Sequence, residues 1–161
     1  MKIKTNILKY YLRNVYFITR SPEEYARWNY GTGREAAGFE IAELISLSRD
    51  KKVIVDTNIP PDVLRQISDY HHVAIMLSPQ WMSVDRFFDR PDAEKQFIYQ
   101  KLLESPDPEA AIQNYRKCLE KVNSLEHYRE FAESGFYSHI RTDESTIDQT
   151  LHLLEMHFLL N

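Results

Sequence analysis

Apolar residues along this chain fall into two patterns, short continuous runs and longer stretches with helical spacing. The first continuous run is Val53-Ile54-Val55, led in by Lys51-Lys52 and closed by Asp56. Unbroken β-branched runs of this kind are typical of strands covered on both faces, as in parallel sheets. The second is His72–Leu77, HVAIML, and the third, shorter and more mixed, is Phe136–Arg141, FYSHIR. Between the first two lies a brief helical pattern, Asp62–Tyr70, so 53–77 reads as a βαβ unit, which is nearly always right-handed. An acid at the carboxyl end of its first strand would face the crevice where open α/β sheets bind ligands. Asp56 is therefore the first candidate for chemistry.

The helical stretches surround these runs. Ile7, Tyr10, Tyr11, Asn14, Val15 and Ile18 approximate one stripe within residues 3–20, although the β-branched and aromatic crowding of Asn14–Thr19 also suits a short strand. Ser21-Pro22-Glu23-Glu24 is a helix start, with a hydroxyl cap, proline at the first position and acids in the first turn. That helix is expected to end before Asn29-Tyr30-Gly31-Thr32-Gly33. A new one is expected over Arg34–Ser48, where Ala37, Ile41, Leu44, Ile45 and Ser48 share a face. Met82–Asp89 and Pro91–Glu104 follow, then a helix begun by Asp107-Pro108, and Ser124–Ser134 ending at Gly135. The chain closes with Ser145–Leu160, capped by Ser145 with Asp148 three residues on, and with Ile147, Leu151, Leu154 and Phe158 along one face.

Composition narrows the class. The 161 residues fit a single α/β domain, and 43% apolar with 27% charged residues is ordinary for a globular protein. A formal charge of −4 opposes affinity built on covering phosphate backbones, so sequence-specific nucleic-acid binding is not expected. No apolar run approaches a membrane span, and the first residues lack the core of a signal peptide. The single cysteine, Cys118, cannot form an internal disulfide. A cytoplasmic protein is expected. The six histidines lack the spacing of a metal site, so no protein-bound structural metal is expected either.

Taken together, VIVDTNIPPDVLRQISDYHHVAIMLSPQWMSVDRFFDRPDAEKQ resembles part of a small P-loop kinase of the nucleoside, nucleotide or shikimate kinase type. The likeness runs over residues 34–161, equivalent to the carboxyl two-thirds of that family, with residues 1–33 as a helical preface and 82–134 as a helical lid. It implies a small parallel sheet with helices on both faces. It also implies binding of a nucleotide, ATP with Mg²⁺ if the protein is active, or of a small phosphorylated metabolite. On the matching positions, Asp56 would stand beside the metal and the acceptor hydroxyl, Arg86 and Arg90 would grip phosphates from one helix face, and Thr142 and Asp143 would lie in the loop that packs on the base. Arg34, at an expected helix start after two glycines, could hold an anionic substrate group.

The family's phosphate cradle, GxxxxGK[ST], is missing: the glycines stand at 31, 33, 38 and 135, and GTGRE at Gly31–Glu35 is the nearest approach. Either a front portion has been lost, or the relation survives in a protein with weak or no phosphoryl transfer, since that chemistry depends on positioning by those groups. Loss of the central strand leaves the two apolar strands without a shared neighbour. Asn14–Thr19 is expected to fill that gap, or another chain does so in a homo-oligomer. A non-catalytic interaction or oligomerisation module is the second expectation.

Overall fold

The computed structural model describes residues 20–160; the helix or strand expected before residue 20 lies outside them. The described chain is mostly helical and divides into two compact units. Its elements are α1 (Pro22–Leu47), α2 (Pro61–Leu64), a single 3₁₀ turn (Tyr70–His72), β1 (Ala74–Leu77), α3 (Gln80–Val84), α4 (Ala93–Leu103), α5 (Pro108–Val122), α6 (Leu125–Ala132), β2 (Tyr137–Ile140) and α7 (Ile147–Phe158).

Among the described residues, the first unit takes in 20–28 and Gln80–Ser124. Its helices begin where the sequence provides caps. Asp92 accepts from the Lys95 amide and Asp107 from the Ala110 amide, each at 3.0 Å, satisfying amides that a helix start leaves unpaired. Ser21 and Glu24 cap α1 reciprocally: the Glu24 amide donates to Ser21 Oγ at 3.3 Å and the Ser21 amide to Glu24 Oε2 at 3.1 Å. The core these helices enclose consists of Tyr25, Val84, Ile98, Leu102, Tyr115, Cys118 and Leu119, edged by Phe87 and Phe88. Tyr115 is its hub, with ring centroids of Tyr25, Phe87 and Phe88 at 6.1, 5.4 and 5.9 Å. Burial pushes the Cys118 thiol up to about 11, with Glu23 adding to the shift, so the cysteine behaves as a small apolar core residue.

The second unit comprises Asn29–Pro79 and the residues from Leu125 onward. It contains the sheet, which has two parallel strands in the register Ala74 to Tyr137 and Leu77 to Ile140. Val73, Ile75 and Leu77 turn to the face covered by Tyr128, Phe131 and Ala132 of α6, with Phe136 joining them. On the other face Tyr137 stacks on His157 of α7 at 4.3 Å, and His157 Nε2 donates to the Val73 carbonyl at 3.0 Å. Gly135 turns the chain from α6 into β2 at φ +84, a conformation that glycine adopts without steric cost.

Several expectations are corrected. Residues 53–56 form no strand, and neither the βαβ unit nor a third strand appears among the described residues. Instead, the parallel partner of β1 is the third apolar run, reached through α3–α6. A run of three β-branched residues records fitness for a pleated surface, but a strand also needs a hydrogen-bonding neighbour. Nor is β1 covered on both faces, since Met76 is 41% exposed. The short helix expected before residues 29–33 and the one expected over Arg34–Ser48 are one continuous helix, α1. Glycine costs about 1 kcal/mol each at Gly31 and Gly33, and helix burial at Tyr25, Ala26 and Ala37 on the two sides outweighs it. The expected helix Asp62–Tyr70 is only α2 followed by turns and the 3₁₀ turn. The last helix is capped one residue later than expected, by Thr146 in a capping box with Gln149.

Candidate functional site

The residues expected to carry chemistry fall into both units. Arg86 and Arg90 are in the first; Asp56, Arg34, Thr142 and Asp143 are in the second. Arg86 and Arg90 do not share a helix face, because α3 ends at Val84 and both lie in the turns that follow. The adjacent rings of Phe87 and Phe88 both reach Tyr115, which consecutive positions of a helix, about 100° apart, are poorly placed to do. The Arg86 guanidinium lies over the Trp81 ring at 5.1 Å, and the Arg90 carbonyl accepts from Gln96 Nε2 at 3.0 Å. These contacts make the segment a packed turn.

Arg34 is likewise displaced from its expected setting. It stands inside α1, where helical carbonyls occupy the amides that a helix start would offer an anion. Its guanidinium donates to Asp62 at 2.7 Å. That hydrogen bond is the leading reason the Asp62 carboxyl is held below the usual carboxylate range. Asp56 is exposed in the irregular segment between α1 and α2. The residues of GTGRE are helical, so they form no glycine-rich turn, and among the described residues no group of three or more His, Cys, Asp or Glu side chains is placed to hold a metal. This arrangement does not fit a Mg²⁺–ATP cradle.

Thr142 and Asp143 are in the loop expected for them, between β2 and α7. The Thr142 amide donates to Ser145 Oγ at 2.9 Å, closing a turn. Ser145 also lines an open cavity of about 330 Å³ together with His139, Gln149, Thr150, His152 and Leu153. The Nε2 atom of His139 is itself buried and has no hydrogen-bond partner among the described residues. The sequence offered no metal-like or nucleophile-like spacing by which His139 and His152 could have been found, since the β2–α7 corner alone brings them together.

Another feature of the second unit is its surface. Apart from Trp81 and Leu103, every large apolar side chain exposed among the described residues belongs to this unit. Phe39 is 79% exposed, Ile54 82% and Ile147 85%, and Leu125, Ile140, Leu151 and Met156 are each at least half exposed. Of the α7 stripe legible in the sequence, Ile147 and Leu151 are exposed, while Leu154 and Phe158 are half-buried.

Comparison of the chain with protein-family models, with curated proteins and with solved structures finds no match. Among the described residues no helix is long and apolar enough to cross a membrane.

Proposed function

We propose that this protein is a non-catalytic interaction module that associates with another folded chain through its second unit. The observation that supports this reading is the concentration of exposed large apolar side chains there, on α1, on α7 and in the segment after α1. Isolated exposed apolar residues are ordinary, but their concentration in one unit favours association. The parallel sheet, two-stranded among the described residues, points the same way, because parallel sheets are normally covered and a strand pair by itself is marginal in water. Light scattering on a size-exclusion column tests the reading. Mass should rise with concentration for the native chain and for Trp81→Lys, and should fall back to that of the single chain when Ile54, Ile147 and Leu151 are together replaced by lysine. A native chain that stays single at every concentration and has no partner requiring these residues would oppose it.

A second reading keeps the small-ligand expectation in reduced form, as binding of a small phosphate or nucleotide in the β2–α7 cavity beside Thr142 and Asp143. What favours it is a cavity at the small end of ligand-site volumes, lined by His139, whose Nε2 has no hydrogen-bond partner among the described residues. Titration calorimetry with ATP, with and without Mg²⁺, separates the two. Heat that is lost in His139→Ala supports the cavity, whereas no heat at millimolar ATP leaves association as the working function.

A further inference from the structure

The segment between α1 and α2 forms no strand among the described residues, yet its side chains follow much of the pattern of an edge strand. Its burial alternates. Val53 and Thr57 are half-buried and Ile59 is buried, while Lys52, Ile54, Asp56 and Asn58 are exposed. Val55 departs from the alternation, being exposed at 43%, although it is the more sheltered of the pair beside Ile54 at 82%. Two contacts fix the inward side: Thr57 Oγ1 donates to Glu40 at 2.6 Å, and Ile59 is closed off from solvent. This period of two is that of a half-covered strand, and it leaves an outward row of Lys52, Ile54 and Asp56.

That row is self-complementary. Lys52 and Asp56 flank Ile54 two residues to either side. Antiparallel pairing with an identical segment, about a two-fold axis through residue 54, sets Ile54 against Ile54, Val53 against Val55, and Lys52 against Asp56 twice. Two-fold interfaces demand such a match of one patch with itself. Directly opposed apolar and opposite-charge pairs are the contacts that stabilise an antiparallel ladder. Shifting the register by one residue would break the alternation and turn Ile54 away from its mate.

We infer that the partner of this module is a second copy of the same chain, joined by antiparallel pairing of residues 52–56 across a two-fold axis at Ile54. The inference rests on the association reading and adds its partner and register.

The full-length chain tests it by sedimentation equilibrium with three variants. Lys52→Asp replaces two opposite-charge pairs with two like-charge pairs and should weaken dimerisation about tenfold or more. Asp56→Lys should do the same. The double exchange, Lys52→Asp with Asp56→Lys, should return the dissociation constant to within about threefold of native, because it restores both pairs with their signs reversed. These side chains are exposed, so the variants leave the packed residues in place, and the recovery in the double exchange controls for damage to the fold. Ile54→Cys should also form a disulfide between chains under mild oxidation, since opposed residues of an antiparallel pair lie within disulfide reach. Cys118 is buried and does not compete. Association that ignores all changes at 52–56 yet disappears in Ile147→Lys with Leu151→Lys would overturn this inference and leave the association reading standing. A chain that is single at every concentration would overturn the inference, and with it association between identical chains.

Discussion

The two units handle apolar residues in opposite ways. In the first, aromatic and aliphatic side chains from α3, α4, α5 and the start of α1 converge on Tyr115, and Leu102 and Cys118 are fully enclosed. In the second, a four-residue core under α6 coexists with an exposed apolar set on α1, α7 and residues 54–55. A helix satisfies its backbone within itself, so a few amphipathic helices can complete a core alone. A sheet satisfies its backbone only through neighbours, and among the described residues each strand has just the other. The first unit therefore illustrates a finished core, and the second a surface that gains by being covered.

The largest expected effect lies in the first unit. Leu102→Ala should lower unfolding stability by about 2–5 kcal/mol, read by urea denaturation, because the removed methyl groups leave a cavity in an enclosed core. The same truncation at Leu151 should change it by about 0.5 kcal/mol or less under single-chain conditions. Comparable losses at both positions would erase the contrast between the units.

Glycine substitutions give opposite signs. Gly135→Ala should cost about 1–2 kcal/mol, since an L side chain is strained at positive φ even though no neighbouring atom lies within 4 Å of the added carbon. Gly33→Ala should stabilise by about 0.5–1 kcal/mol, as the site is helical and also has open space. Thermal melts of the two variants shifting in the same direction would show that α1 is not continuous through Gly31–Gly33.

The smallest expected effect is electrostatic. The Asp62 carboxyl is held below the usual carboxylate range chiefly by its hydrogen bond from Arg34. Its contribution to stability is therefore fully present above the ordinary carboxylate pKa of about 4 and is lost as pH falls through the lower folded value. Both side chains are well exposed, so the loss should be slight and should shrink further with added salt. Comparing acid titrations of native chain and Arg34→Gln by tryptophan fluorescence checks this. A native advantage that grows as pH falls below 4 would reverse the sign.

Signals local to a few residues were the ones legible in the sequence. Asp107 caps its helix, Pro108 opens α5, and Gly135 takes its positive φ, because each choice is dictated by neighbours within one turn. Within the runs 72–77 and 136–141, Ala74–Leu77 and Tyr137–Ile140 became strands because each found the other. Val53–Val55 carries an equally strong strand pattern without a neighbour among the described residues, and composition alone does not reveal whether a ladder partner exists. The placement of Arg86 and Arg90 turned on Phe87 and Phe88 both entering one core, which helical periodicity does not encode. The cavity at His139 and His152 was illegible for a related reason, since it depends on how β2 and α7 meet.

The difference between the units is tested most directly by amide hydrogen exchange of the native chain at low and high protein concentration. Amides of residues 53–57 should gain protection as concentration rises, while those of residues 98–119, inside a core that is already complete, should exchange at unchanged rates. Exchange at 53–57 that is fast and independent of concentration, with no other part of the second unit slowing, would contradict the assignment of this surface to association.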